Sequence, residues 1–180
     1  IKGLTTDQLP VLTTTQMVVL NTTALRGLTS SQIVSLLPYQ VGILTTTQVG
    51  GLSSSQIAVL TTDDAVALTT TQIGSLNTTQ VRGLSSDDIA VLSPGQWQSL
   101  NTIQIGGLST TQLRTLATDI VPDLTTTQLG ALTSSQIKAL NTLDLSLLST
   151  TQMSSLSTTL FVALTSTQVR SEEHTSELQS

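Results

Sequence analysis

The chain has no cysteine, very few aromatic residues and few charges. Among its 180 residues there is one Trp, one Tyr and one Phe, and charged residues make up 9 %. The absence of cysteine excludes a disulfide framework and a thiolate metal site. The scarcity of aromatic residues argues against an aromatic-lined pocket. No apolar run approaches the ~20 residues of a membrane-spanning helix, so we expect no membrane insertion.

The charge balance and the histidine content also exclude several classes of function. The formal net charge of −5 argues against nucleic acid or an anionic membrane as a partner. The only histidine is His174, so no serine has a neighbouring base that could activate it as a nucleophile. The sequence contains no glycine-rich phosphate loop and no zinc-ligand spacing. We therefore expect no enzyme activity, no catalytic residue, no metal site and no cofactor.

The last eleven residues differ from the rest of the chain. Residues 170–180, RSEEHTSELQS, hold the only histidine and all three glutamates. This string resembles the translated reading of a short-read sequencing adapter. We interpret residues 170–180 as an artefactual, disordered tail and residues 1–169 as a fragment of a longer repeat array from a metagenomic source, because the chain begins at Ile1 without a visible signal peptide.

The remainder of the chain is an uninterrupted eight-residue repeat. A leucine occupies position one in twenty-one consecutive repeats, from Leu4 to Leu164. Position six is apolar in every repeat. Position two is Ser, Thr or Asn except at Leu37 and Ala117. Position five is Gln or Asp except at Ala24, Ile120 and Leu160.

A period of eight fits neither a continuous helix nor a continuous strand. In one long α-helix the leucine would rotate by about 80° per repeat and form no stable apolar face. In one long strand positions one and six would point to opposite sides. The backbone must therefore change direction once in every octad.

The residues around the leucine predict a helix start. A hydroxyl or Asn at position two with Gln three residues later is a capping box, and the apolar residues at positions one and six are the two partners of a hydrophobic staple. Pro38 and Pro94 stand at the first helical position, where proline fits best. Glycine is frequent at positions seven and eight, as in Gly50–Gly51 and Gly106–Gly107, where the helix would end.

The charged residues follow the same pattern. All bases stand at position seven, near the C-terminal end of the expected helix, and four aspartates stand at position four, in its first turn; both placements complement the helix dipole. The bases are Lys2, Arg26, Arg82, Arg114, Lys138 and Arg170, and the aspartates are Asp7, Asp63, Asp87 and Asp119.

These observations predict an all-α solenoid with one very short capped helix, of about six residues, in each octad. Stacked repeats would support one another because a single octad is too small to fold alone. The alternative is a β-solenoid, since Thr, Val and Ile favour strands. The glutamine that follows each hydroxyl favours the helical fold, because a β-solenoid gives no reason for an amide at that spacing.

The octad LTTTQ[VI]xxL, at residues 44–52 and 68–76, resembles the Thr-rich repeats of very large bacterial surface or secreted proteins. Such proteins carry the labels adhesin-like, haemolysin-like or "haem utilisation or adhesion", and the resemblance covers residues 2–169. It implies a repeat region of an exported protein, located outside the cell or on the bacterial surface and joined to flanking domains. It does not imply haem chemistry, because Met17 and Met153 stand at position six, where we interpret them as core residues.

Few residues qualify as candidate sites. The acid pairs Asp63–Asp64 and Asp87–Asp88 could form a weak Ca²⁺ site, but Asp144 replaces Gln at position five without an acidic neighbour. We therefore favour helix-start acids. We interpret Trp97 as a packing variant. The irregular octads at residues 116–124 and 156–164, which lack the glutamine, are interpreted as local bends.

The favoured function is a structural spacer or stalk. The alternative is an array that binds a glycan, ice or a protein weakly through the Thr and Ser residues at positions three and four. Position seven varies from Gly to Arg to Val. This variation favours the stalk, because an array that binds a lattice would keep its surface uniform.

Overall fold

A computed structural model describes residues 3–168, and the regular secondary structure of this part of the chain is all helical, with no β-strand. Most octads contain one α-helix of four to six residues. The helices are α1 Thr14–Val18, α2 Thr22–Arg26, α3 Ser30–Val34, α4 Pro38–Gly42, α5 Thr46–Gly51, α6 Ser54–Ile57, α7 Thr62–Ala67, α8 Thr70–Ser75, α9 Thr78–Gly83, α10 Ser86–Ala90, α11 Pro94–Gln98, α12 Thr102–Gly107, α13 Thr110–Arg114, α14 Thr126–Gly130, α15 Ser134–Ile137, α16 Thr142–Ser146, α17 Thr150–Ser154 and α18 Thr158–Ala163. A 3₁₀-helix, Val121–Asp123, lies between α13 and α14.

The all-α prediction is confirmed and the β-solenoid alternative is wrong for the described residues. The predicted tail, residues 170–180, lies outside them. Pro38 and Pro94 are the first residues of α4 and α11, as expected. The longest helices have six residues. None of the described helices has the length and apolar character required to cross a bilayer.

Each helix begins directly after its position-two residue because this residue caps it. At α8 the Thr69 hydroxyl accepts a hydrogen bond from the Gln72 N–H at 3.2 Å. In return the Thr69 N–H donates to Gln72 Oε1 at 2.7 Å. These two bonds satisfy donors that a helix start leaves unpaired. Leu37 has no side-chain acceptor, so at α4 only the second bond remains, from the Leu37 N–H to Gln40 Oε1 at 2.9 Å.

The helices coil into a solenoid in which each helix packs on the helix three repeats away. One side contains the series α4, α7, α10 and α13, and the next contains α3, α6, α9 and α12. Contacts between turns join residues that are 25 to 31 positions apart, such as Gly42 with Ala67 and Gln80 with Val49. These separations centre on 28 residues, so one turn of the solenoid takes about three and a half octads.

The apolar core runs along the axis of this solenoid. Position-six residues are fully buried in the middle of the array, as at Ile57, Ile73 and Ile89. The position-one leucines close the same core from the corners, where Leu84 and Leu108 are each 2 % exposed. Every repeat therefore adds two apolar side chains to one continuous core.

The prediction of a buried position six is wrong at the last complete octad. Phe161 is 50 % exposed, whereas Leu160, which replaces glutamine at position five, is 4 % exposed. The expected core role is confirmed for Met17, which is fully buried, while Met153 is only partly buried. Leu160 takes the inward place that glutamine occupies elsewhere, and Phe161 then lies outside the core.

The two irregular octads differ from each other. Residues 116–124 contain no α-helix, only the 3₁₀-helix, and both Ile120 and Val121 are buried there. Residues 156–164 keep a helix, α18, with Ser157 as its cap. Loss of the glutamine alone therefore does not remove the helix. The octad at the start of the array, which begins at Leu4, has turns instead of a helix.

The glycines at positions seven and eight permit close packing between turns. No described residue has a positive φ, so the helices do not end in a left-handed residue. A Cβ on Gly83 would lie 2.8 Å from the Ser54 carbonyl oxygen, and a Cβ on Gly107 would lie 2.1 Å from Thr78 Cγ2. Glycine at these two places lets the end of one helix touch the start of a helix in the preceding turn.

Candidate functional site

The most repeated polar arrangement in the molecule is a buried glutamine that joins two turns. Gln80 is 1 % exposed. Its Oε1 accepts from the Asn77 N–H at 3.0 Å, which belongs to the capping box. Its Nε2 donates to the carbonyl oxygens of Val49 at 2.9 Å and Leu52 at 2.8 Å. One side chain thus closes its own helix start and binds a corner of the preceding turn.

The same arrangement recurs along the array, and we name this set the glutamine ladder. In each member Nε2 donates to the carbonyls 28 and 31 residues earlier, which are positions one and six of earlier repeats. The members are Gln40, Gln48, Gln56, Gln72, Gln80, Gln96, Gln104, Gln112, Gln128, Gln136, Gln152 and Gln168.

The ladder supplies the regular polar connection between turns. Within residues 3–168 every backbone-to-backbone hydrogen bond spans at most four residues, so no main-chain ladder links one turn to the next. A solenoid built from strands would connect its turns by main-chain bonds. Here side-chain amides and apolar packing do so.

The ladder is the functional element that sequence reasoning missed. The capping box explains the acceptor of the glutamine but makes no use of its NH₂ group. A signal was present, because position five is Gln in fifteen repeats and is never Glu. A glutamate would complete a capping box equally well, but a carboxylate has no donor. The preference for the amide, in fifteen of the twenty-one repeats, therefore indicates that its donor is bound.

Three aspartates replace the ladder glutamine, and their predicted capping role is confirmed. Asp64, Asp88 and Asp144 each accept from the N–H of the helix cap through Oδ2. Each is at most 1 % exposed. The second carboxyl oxygen, Oδ1, of Asp64 and of Asp144 is buried and has no hydrogen-bond partner.

The environment of Asp144 changes its acidity. Desolvation by burial raises the pKa of Asp144 above its ordinary value, and the hydrogen bonds from the backbone and side chain of Asn141 oppose this rise only in part. The carboxylate form is therefore penalised in the folded protein.

The two acid pairs lie in adjacent turns, because α7 packs against α10. Asp63 and Asp87 are exposed, while Asp64 and Asp88 are buried in the capping positions. Among residues 3–168, no group of three or more His, Cys, Asp or Glu side chains is arranged to hold a metal ion.

The outer face carries hydroxyls and isolated bases. The basic residues at position seven are exposed, as predicted, and in the described part of the chain these are Arg26, Arg82, Arg114 and Lys138. An open groove on this face is lined in part by Arg26, Ser53, Ser54 and Thr78. Trp97 is buried at 1 % exposure, which confirms its packing role.

Comparison with known families supports the repeat. The family model of the ALTTAQ repeat matches residues 66–102. The corresponding string in this chain is ALTTTQ at residues 67–72, which ends at the ladder glutamine Gln72. No curated protein matches the chain. The chain therefore contains a Thr-rich helical repeat region.

Proposed function

We propose that this repeat region is a structural spacer in a large bacterial surface or secreted protein and has no chemistry of its own. Its role is mechanical, since the array sets the distance between flanking domains of the parent protein. The observation that carries this proposal is the constant 28- and 31-residue separation of the ladder bonds, from Gln40 to Gln168. Because each turn repeats the same contacts, length grows in proportion to the number of repeats.

The distribution of variable residues supports a spacer. The residues that join turns are conserved from repeat to repeat within the chain, whereas position seven is Gly at residue 50, Arg at residue 82 and Val at residue 66. A spacer needs uniform internal contacts and tolerates a variable exterior. The resemblance to Thr-rich repeats of exported bacterial proteins supports a location outside the cell or on the bacterial surface.

A second candidate is a binding array for a glycan, ice or a protein. The exposed hydroxyls at positions three and four and the open groove beside Arg26 favour this candidate. Binding of this kind would need a regular exterior, and the changes at position seven interrupt it.

The spacer proposal is tested by the distance between two labels. Thr14 and Thr150 are exposed, and the chain has no cysteine, so the pair Thr14→Cys and Thr150→Cys accepts two spin labels specifically. Their distance is measured in the full chain and in a variant lacking residues 44–99. This deletion removes seven octads, equivalent to two turns, and keeps the ladder separation.

A spacer predicts that the label distance falls to about six-tenths of its original value, in proportion to the residues that remain between the labels. The distance distribution should stay narrow in both proteins. A distance that changes by less than a quarter, or a broad distribution in the full chain, would overturn the proposal.

The binding candidate has its own test. The full chain is applied to a glycan array and to an ice-affinity assay, beside a variant in which the exposed Thr70, Thr110 and Thr126 are replaced by valine. Saturable binding that the valine variant loses would favour the array over the spacer. Equal, unsaturable signals from both proteins would favour the spacer.

A further inference from the structure

The ladder position of Asp144 combines a buried carboxyl group with carbonyl oxygens that lack the usual glutamine donor. Elsewhere the residue at position five donates to the carbonyls 28 and 31 residues earlier, which for residue 144 are those of Leu116 and Leu113. An ionised carboxylate only accepts hydrogen bonds, so it cannot replace the amide in this role.

The two oxygens of Asp144 have different surroundings. Oδ2 accepts from the Asn141 N–H at 3.2 Å and so takes the place of glutamine Oε1. Oδ1 is buried without a hydrogen-bond partner, and the whole residue is fully buried. Since Oδ2 takes the place of glutamine Oε1, Oδ1 is the counterpart of the glutamine NH₂ group, on a side chain that is one methylene shorter. A buried oxygen that receives no hydrogen bond destabilises the folded state.

We propose that Asp144 binds a proton in the folded solenoid and that the protonated carboxyl acts as a donor in place of the missing amide. The proton converts Oδ1 from an unpartnered acceptor into a hydroxyl group that donates toward the carbonyls of the preceding turn. The hydrogen bond from residue 144 to the preceding turn then forms at acid pH and is lost as the pH rises. This inference concerns the fold and does not depend on the spacer function.

The charged groups around Asp144 do not replace the proton. On the preceding turn the charged side chains are Arg114, Asp119 and Asp123, and all are exposed. The preceding repeat contributes the exposed Lys138, and residues 165–168 of the following turn carry no charge. Among the described residues, none of these charged side chains is buried beside Asp144.

The cap of Asp64 differs from that of Asp144. At Asp64 the hydroxyl of Thr61 donates to Oδ2 at 2.8 Å, in addition to the Thr61 N–H. Oδ2 of Asp64 therefore accepts two hydrogen bonds from its cap residue. The cap of α16 is Asn141, whose Oδ1 accepts from the Asp144 N–H at 2.8 Å, and it supplies no hydroxyl. The proposal is therefore made for Asp144.

The sign of the effect follows from the raised pKa of Asp144. A group whose folded pKa exceeds its unfolded pKa stabilises the fold fully below the unfolded value, 3.8, and this contribution is lost as pH rises through the folded value. The folding equilibrium constant changes about tenfold for each pKa unit between the two states. Asp144→Asn should remove this dependence, because asparagine carries its donor at every pH.

The test is chemical denaturation of the full chain between pH 4 and pH 8, with Asp144→Asn, Asp144→Gln and the control Asp119→Asn, whose side chain is exposed. The folding equilibrium constant of Asp144→Asn, divided by that of the wild type, should rise at least several-fold from pH 4 to pH 8. The same ratio for Asp119→Asn should not rise. The carboxyl carbon of Asp144 should titrate above the range of an ordinary aspartate in a ¹³C NMR experiment.

Two results would overturn the proposal. One is an Asp144 carboxyl carbon that titrates at or below the ordinary range. The other is a ratio for Asp144→Asn that does not change with pH. If the Asp144→Asn variant does not fold, the ratio for Asp144→Gln, which restores the ladder side chain, and the NMR titration of the wild type decide the question.

Discussion

Gln80 and Leu52 stand in adjacent turns of the solenoid, and the Nε2 of Gln80 donates to the carbonyl oxygen of Leu52 at 2.8 Å. The same glutamine completes the cap of α9 through Oε1. Local and long-range structure therefore depend on a single side chain, because the start of a helix and its attachment to the turn below use the two ends of one amide.

Replacing a ladder glutamine by glutamate separates these two roles. Gln104→Glu keeps the acceptor for the Asn101 N–H but loses the donor for the carbonyls of Ile73 and Leu76. We expect a loss of about 3 kcal/mol in the free energy of unfolding near neutral pH, because a carboxylate is then buried against unsatisfied acceptors. Urea denaturation measures this loss.

The matched control is Gln16→Glu. Gln16 belongs to a capping box but is exposed and forms no bond to another turn. We expect a change within about 0.5 kcal/mol. Equal losses in the two variants would contradict the separate role of the amide donor.

The cap of α4 at Leu37 is a position where a substitution should stabilise the protein. This residue caps α4 without a side-chain acceptor and is 39 % exposed. Leu37→Thr should restore the hydroxyl and raise the free energy of unfolding by about 1 kcal/mol. The reverse change at α8, Thr69→Leu, should lower it by a similar amount. Thermal denaturation of both variants checks the pair, and a lower melting temperature for Leu37→Thr would refute this account of the cap.

Two glycines near the C-terminal ends of α5 and α9 should respond oppositely to alanine. In Gly83→Ala the new Cβ would lie 2.8 Å from the Ser54 carbonyl oxygen, and we expect a loss of about 1–3 kcal/mol from overpacking. In Gly50→Ala the Cβ meets nothing within 4 Å, and we expect a gain of about 0.5–1 kcal/mol because alanine favours the helix. Denaturant titrations of the two variants should move in opposite directions, and a shared direction would show that the contact between turns does not limit this position.

Truncation of the position-six residue should reduce the free energy of unfolding less at Phe161 than at Ile73. Ile73 is fully buried and Phe161 is 50 % exposed, although both stand at position six. Ile73→Ala should cost about 2–5 kcal/mol, and Phe161→Ala should cost clearly less despite removing more atoms. Comparison of their unfolding free energies tests whether core position or repeat position determines the cost.

The local structure was predictable from the sequence because it is encoded within single octads. Thr69 and Gln72 identify a capping box without any knowledge of the fold, and Pro94 identifies the first helical residue. The separation of 28 residues between turns was not predictable in this way, since it depends on how far each corner rotates the backbone. The second role of Gln72 was missed for the same reason, because its partner carbonyls at Val41 and Leu44 belong to another turn.

The exception at Phe161 involves two adjacent apolar residues in one octad. The apolar pattern assigns position six to the core, as at Ile73. Leu160 provides a second apolar side chain in the same helix, and Leu160 rather than Phe161 is buried in the core. A rule derived from one octad has no means of ranking two adjacent apolar residues.

The constant separation of ladder partners also affects how such an array can change in length. Gain or loss of one octad, as through slippage during DNA replication, rotates everything downstream by about 103° around the axis. Every remaining ladder glutamine still has position-one and position-six carbonyl oxygens 28 and 31 residues earlier in the chain, so no ladder hydrogen bond is lost inside the array. A gene of this type can therefore lengthen or shorten its product by single octads without encoding a new fold.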